Sequence, residues 1–211
     1  MTLPEMLISL DLDVAPEAVL RLEMLVDELL RWNARRNLTA ITDRCEVLEK
    51  HLVDSLTLLP DARKAKSLLD IGSGAGFPAL PLKIACPDLS VVSVDAVGKK
   101  VDFQRHVARI LGLTDFVAWH GRIEDLQDHT EYRTGFDLVT ARALCNLDAL
   151  LARAKPFLAA DGHLVAMKGP DGLREFRLLQ DQLHQDGWTA SLSSLVLPVS
   201  GSERCLIHLR R

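Results

Sequence analysis

One segment constrains this chain more than any other: Leu68-Leu69-Asp70-Ile71-Gly72-Ser73-Gly74-Ala75-Gly76-Phe77. A short apolar run enters three glycines at alternate positions, and helical spacing then resumes through Ile84. Glycine lets a backbone turn sharply and approach a ligand without interference from a Cβ. A strand that turns this way into a helix begins a βαβ unit, which needs further parallel strands to pair with. The downstream sequence supplies them. Strand-like runs at 89–95, 116–119, 136–140 and 163–167 alternate with helical patterns at 98–111, 147–157 and 173–185. Two last apolar stretches, 190–197 and 204–209, have no helix between them and are expected to form an antiparallel hairpin at the sheet edge.

Residues 1–66 carry a different pattern. Apolar residues at 19, 22, 25, 26, 29, 30 and 32 predict a helix over 16–32, started by Asp13 and Pro16. A second helix is expected over 45–59, stopped by Pro60, with a polar connector at 33–43 between the two. The fold class is therefore α/β: a helical extension over 1–66, then a Rossmann-like domain over 67–211 with a mostly parallel sheet. A chain of 211 residues suits one domain with a small appendage.

Composition excludes several classes. The chain is 48% hydrophobic and 26% charged, as ordinary globular chains are. The longest uncharged stretch, 187–202, is interrupted by Thr, Ser, Gly and Pro, so no membrane span is expected. Glu5 and Asp11 stand where a signal peptide needs basic residues, which points to a cytoplasmic protein. Cys45, Cys86, Cys145 and Cys205 form no C-x-x-C pair and are expected as reduced, mostly buried thiols. The seven histidines make no H-x-x-x-H pair, and no metal is expected. A net charge of −4 argues against broad nucleic-acid binding, which rests on phosphate neutralisation. The distribution is uneven, however: residues 1–30 hold seven acids against Arg21 alone, whereas 31–66 hold eight Lys/Arg against five acids. A local basic patch of that kind is what a selective nucleic-acid enzyme needs.

The glycine loop also selects its ligand. Its spacing is G-x-G-x-G, and Phe77 occupies the position of the third glycine that a dinucleotide pyrophosphate prefers. Asp70 at the opening suits a ligand with an amino group better than a diphosphate. S-adenosylmethionine, with an ammonium, a carboxylate and a sulfonium but no phosphate, is such a ligand. Gly72, Gly74 and Gly76 would cradle it. Asp95 ends a strand nineteen residues beyond Gly76, where nucleoside-binding α/β folds place an acceptor for ribose hydroxyls. Beyond the third strand, Ile123 and Glu124 offer backbone and an apolar face to an adenine.

Several segments together resemble the bacterial small-subunit rRNA methyltransferase G family, also called glucose-inhibited division protein B. They are Trp32-Asn33 with Asn37-Leu38-Thr39, His51-Leu52-Val53-Asp54-Ser55, Asp70 through Pro78, Asp95 with Gly98-Lys99-Lys100, Ala141-Arg142-Ala143, and Met167-Lys168-Gly169. The resemblance covers about residues 20–210. It implies a class I S-adenosylmethionine-dependent methyltransferase acting on N7 of a guanine in 16S rRNA, within the small ribosomal subunit or a precursor. It also implies cofactor contacts at Gly72, Phe77, Ile123, Glu124 and Arg142. Two departures stand out: Ala79 replaces a further glycine after Pro78, and Cys205 and His208 alter the last strand.

Guanine N7 bears an in-plane lone pair and no proton, so its methylation needs no general base. The expected work is alignment of acceptor, methyl and sulfur, which can supply roughly 7–11 kcal/mol. Arg142 and Lys168 are expected at strand ends on the acceptor edge as the catalytic-site cations. A cation donating to N7 would occupy the attacking lone pair, so contact with O6, a phosphate or the cofactor carboxylate is the consistent role. Arg35, Arg36, Lys99 and Lys168 are the candidate RNA contacts. Trp32 continues an apolar helix face and is expected in the core, while His51 and Asp54 share one face as a tie or a substrate contact. Two rival functions remain: an NAD-dependent oxidoreductase, although Tyr132 has Phe136 where a Tyr-x-x-x-Lys couple needs lysine, and a non-catalytic RNA- or ribosome-binding factor that retains a nucleoside pocket. Nothing in the sequence points to an obligate oligomer, and a monomer is expected.

Overall fold

A computed structural model describes residues 1–132 and 135–211. Helix α1 (Leu3–Ser9) begins in a capping box, with Thr2 Oγ1 accepting from Glu5 N and the Glu5 carboxylate accepting from Thr2 N. Helix α2 (Pro16–Arg36) carries proline in its first turn and two arginines in its last, and Asn37 ends it in the left-handed conformation. It runs four residues beyond the expected end. The polar residue that looked like a connector, Asn33, is buried, and its Oδ1 accepts from Leu38 N at 2.7 Å and Thr39 N at 2.9 Å.

The second expected helix is interrupted rather than regular: α3 (Arg44–Val47), a π-helical stretch (Leu48–Val53) and α4 (Asp54–Leu56) follow without a break. Pro60 does not end it; it lies in the first turn of α5 (Leu59–Ala62).

The domain follows as β1 (Ser67–Ile71), α6 (Ala79–Ala85), β2 (Ser90–Asp95), α7 (Gly98–Ile110), β3 (Phe116–His120), β4 (Phe136–Arg142), α8 (Leu147–Ala154), β5 (Leu158–Lys168), α9 (Gly172–Gln185), β6 (Thr189–Val196) and β7 (Glu203–Arg210). The sheet order is β3-β2-β1-β4-β5-β7-β6. Strands β1 to β5 are parallel, and β7 enters antiparallel between β5 and β6. The terminal hairpin is thus as expected, with β6 as the edge. Strand β5 begins earlier than its apolar run because Leu158 already pairs with Phe136, ahead of a register shift after which His163 pairs with Leu138.

One core cluster joins the extension to the loop and helices above the sheet. Leu3, Leu22, Leu29 and Leu52 meet Ala75, Phe77, Leu80 and Phe103 there. Trp32 packs on it, edge-on to Phe103 at 5.6 Å, which agrees with its expected core role. A second cluster lies under α8 and α9. The thiols are unpaired, but only Cys205 is buried; the other three are half-buried, less than expected. Among the described residues, no helix is long and apolar enough to cross a membrane.

Candidate active site

Strand order reverses between β1 and β4, and a crevice opens outside their carboxyl ends at such a switch point. The glycine loop lies there. Gly72 (φ +71°) donates from N to Val94 O at 2.8 Å. Gly74 (φ +62°) donates to Asp95 Oδ2 at 2.8 Å, while Asp95 Oδ1 accepts from Val97 N at 2.8 Å. Asp95 therefore fastens the loop to the end of β2. An ionised carboxylate has about four lone-pair sites, so it keeps acceptor capacity toward the cleft. Gly76 turns the chain toward α6 behind the loop.

Asp70 lies below this loop, fully buried and outside the cleft wall. Its Oδ2 accepts from Ala79 N at 3.1 Å, and among the described residues Oδ1 has no donor. Burial, with the Asp95 carboxylate nearby, pushes its pKa up to about 7 against the opposing pull of the Ala79 amide and Arg142. The expectation that Asp70 itself opens onto the ligand is corrected in this respect: it lies behind the loop.

Arg142 ends β4. Its Nη1 donates to Lys50 O at 2.8 Å and lies 3.4 Å from Asp54 Oδ2; its Nη2 lies 3.2 Å from His51 Nδ1. Arginine can only donate, so His51 Nδ1 accepts, and its proton sits on Nε2, facing Thr39 Oγ1 at 2.8 Å. Burial first, and the Arg142 charge second, lower the His51 pKa to about 3, so the ring is neutral. His51 also stacks on Phe77, with ring centroids 5.1 Å apart, and Arg142 Cζ is 5.8 Å from the Phe77 centroid. Asp54 Oδ1 accepts from Arg204 Nε at 2.9 Å. The His51/Asp54 pair is thus a tie between the extension, β4 and β7.

Gly72, Gly74, Phe77, Asp95, Arg142 and Lys168 line one cleft of about 640 Å³. Ile123 and Glu124 line an adjoining pocket of about 450 Å³, which shares Gly72, Asp95, Lys100 and Leu144 with the cleft. Glu124 pairs with Arg153 at 3.4 Å. Lys168 is buried, and its Nζ donates to Glu175 Oε2 at 2.9 Å and to Cys145 O, so it braces the cleft floor more than it presents a charge. Lys99 lies outside the cleft and caps the C-terminus of α2, with Nζ donating to Arg36 O at 2.8 Å and Asn37 O at 3.0 Å. Much of the expected basic patch is neutralised: Arg31 pairs with Glu28, Lys50 with Glu46, and Arg44 with Glu23 and Asp27. Among the described residues Arg35 and Arg36 are exposed and face no acid.

Leu144 and Arg204, which no sequence motif marks, also line the cleft, as do Thr39 and Lys100, from segments that carry the family resemblance but without a role assigned from sequence. Arg204 meets Asp54 across 150 residues, a pairing that no local pattern announces.

Comparison with known proteins agrees with this geometry. A family model described as rRNA small subunit methyltransferase G matches residues 19–197. The ribosomal RNA small subunit methyltransferase G of Syntrophotalea carbinolica is 50% identical over 210 residues, covering 99% of this chain and 96% of that protein. The protein of the same name from Geobacter sulfurreducens is 41% identical over 202 residues, covering 95% and 92%. Among solved structures, an O-methyltransferase from Bacillus cereus in complex with SAH superposes with a TM-score of 0.63 at 16% identity, covering 89% of this chain and 91% of that one. TomG from Streptomyces achromogenes, an O-methyltransferase in complex with SAM, does so with a TM-score of 0.63 at 18% identity, covering 98% and 96%. Such distant structures establish the fold, whereas identity extending from the first helices to the last strand establishes the lineage: the chain belongs to the rRNA small subunit methyltransferase G family.

Proposed function

We propose that this enzyme transfers the methyl group of S-adenosylmethionine to N7 of a guanine in 16S rRNA, within the small ribosomal subunit or a precursor of it. The observation that carries the reading is the glycine loop, held open by the Asp95 carboxylate and facing Arg142 across one cleft. The residues present fit the cofactor. Of the loop's three left-handed glycines, Gly72 and Gly74 line the cleft and Gly74 leaves open space beside the backbone, and the joined pockets fall within the volume range of small-molecule sites. The orphaned Asp70 Oδ1, beneath the loop and outside the cleft, is a buried acceptor that suits an ordered water under the cofactor loop. Bound there, S-adenosylmethionine supplies a methyl group on a sulfonium, already activated for transfer.

The chain's own residues then orient and enclose. Asp95 retains acceptor capacity for ribose hydroxyls, and Ile123 and Glu124 border the adjoining pocket as an adenine site. Arg142 uses three N–H donors on Lys50 O, Asp54 and His51, which leaves Nε–H and one Nη2–H for O6, a phosphate or a carboxylate. Because N7 carries no proton, its methylation asks no group here to act as a base, and His51 Nδ1 is already engaged by Arg142. Lys168 supports this edge from beneath. Arg35 and Arg36, in the last turn of α2, are the candidates for phosphate contact, and Lys99 holds the helix that carries them.

The test is transfer of labelled methyl to small ribosomal subunits, followed by nucleoside digestion. The expected product is labelled 7-methylguanosine. Label at a base amino group or ribose, or saturable binding of NAD without response to S-adenosylmethionine, would overturn the reading. Cofactor binding without any transfer would instead favour a non-catalytic factor.

A further inference from the structure

At the end of the extension opposite Arg35 and Arg36 lies a groove of about 580 Å³ between α1, the 10–15 connection and the first turns of α2. Its walls are apolar: Leu7, Ile8, Leu12, Val14, Val19 and Leu20. Ile8 is 78% exposed and Leu20 68%, and Met24 stands exposed one helical turn further along α2. Aliphatic side chains so placed in one concave patch are the usual mark of a docking surface. The rim is acidic. Asp11 and Asp13 line the groove, and Glu5 and Glu17 are exposed on the helices that form it.

The charge decides among occupants. At the groove Glu5, Asp11, Asp13 and Glu17 stand against Arg63, which lies 3.6 Å from Asp13, so a second copy docking through this face would bring like charge to like. Anionic lipid and RNA phosphate are disfavoured for the same reason. What fits is an amphipathic protein segment with an apolar stripe and a basic face. Proteins packed on RNA carry such segments, because they neutralise phosphate. Helix α2, with its 21 residues, spans about 30 Å. Its basic end lies by the catalytic cleft and its acidic, apolar end by the groove, so one helix reaches from the RNA to a neighbouring protein.

We infer that this groove docks a basic amphipathic segment of a protein carried on the RNA substrate particle, an inference that rests on the proposed rRNA function for the source of the partner but not for the chemistry of the groove. Two arms test it. In the first, a helical peptide of leucine and lysine only, amphipathic at the 3.6-residue period, is titrated into the full chain, with its leucine–glutamate counterpart as control. Saturable one-to-one binding of the basic peptide alone is expected. Ile8→Glu with Leu20→Glu should weaken it at least about ten-fold, and Asp11→Asn with Asp13→Asn should weaken it and flatten its salt dependence. In the second, affinity for intact small ribosomal subunits is compared with affinity for the same rRNA stripped of protein. The Ile8/Leu20 variant should lose at least about ten-fold on intact subunits and nothing on stripped rRNA, with S-adenosylmethionine affinity unchanged.

Equal binding of both peptides, or an unaltered variant in either arm, overturns the inference. So does a parent protein that self-associates, or binds anionic vesicles, through these side chains. Peptide binding at the groove without any methylation of subunits would refute the proposed function while leaving the chemistry of the groove standing.

Discussion

Replacing Asp70 by Asn removes a charge that the fold keeps buried without a full set of partners. The carboxyl titrates near 7 in the folded chain, whereas an ordinary carboxylate titrates near 4. Between those values the folded state holds a proton that the unfolded state has released, so this group's contribution to stability falls as pH rises, opposite to the usual behaviour of carboxylates. Each pH unit in that window costs about 1.4 kcal/mol. From pH 5 to the folded value near 7 the loss amounts to about 3 kcal/mol, and above that it levels off. Asn keeps an oxygen for the Ala79 amide and cannot ionise. Urea unfolding of parent and Asp70→Asn at pH 5 and pH 8 should therefore show the difference, variant minus parent, rising by about 3 kcal/mol toward the variant. A stability difference that is flat with pH, or that grows toward the parent, refutes the account of Asp70.

Four further outcomes are expected. Gly72→Ala places a Cβ 2.6 Å from Leu144 Cδ1 at φ +71°; Leu144 can swing aside, so the backbone conformation sets the cost at about 1–2 kcal/mol, seen as a lower Tm, while the displaced side chain blocks the cofactor in calorimetry. Arg142→Lys cannot serve Lys50 O, His51 and Asp54 together, and methyl transfer should fall at least about ten-fold in single-turnover assays. Burial opposes the effect, but hydrogen bonds from His163 and His208 hold Asp61 well below the usual carboxylate range; its stabilisation is complete above about pH 4 and fades as pH falls through the folded value. Asp61→Asn should thus cost roughly 1.5–3 kcal/mol at pH 6 in urea unfolding, a gap that closes in acid. Arg35→Ala with Arg36→Ala should make the log–log salt slope of RNA binding shallower by about 0.7–0.9 per lost contact, with affinity for the free cofactor intact.

The sheet was legible because its central strands are short apolar runs punctuated by glycine or a terminal carboxylate, as at Leu68–Ile71 and Val91–Asp95. The extension was harder to read. Asn33 looks like loop chemistry, yet its side chain is buried in a helix and clasps the following turn, a tertiary solution that overrides propensity. The π-helical residues 48–53 carry the same composition as an α-helix, and a change of hydrogen-bond register leaves no trace in a 3.6-residue pattern. At the site, Gly72, Phe77, Asp95 and Arg142 were found because motif or strand position marks them. Of the clamp on Arg142 only the His51/Asp54 pair was marked, as a tie or a substrate contact, since its partners 39, 142 and 204 come from distant parts of the chain. Lys168 and Lys99 were read as free cations because sequence shows a charge but not the carboxylate or helix-end carbonyls that engage it.

The cluster that unites Leu22, Leu29 and Leu52 with Ala75, Phe77 and Phe103 bears on how such a protein diversifies. Where an appended segment touches its catalytic domain only through a linker, it can be exchanged like a cassette and targets change by recombination. Here the loop that faces the cleft has its back against the appended helices. A graft of a foreign extension would leave Phe77 and Ala75 against mismatched volumes and would disturb the loop along with recognition. Under the proposed function, change of target in this architecture would fall to point substitutions on exposed positions such as Arg35 and Arg36, and hybrids joined near residue 66 should fold only when both parts come from near relatives.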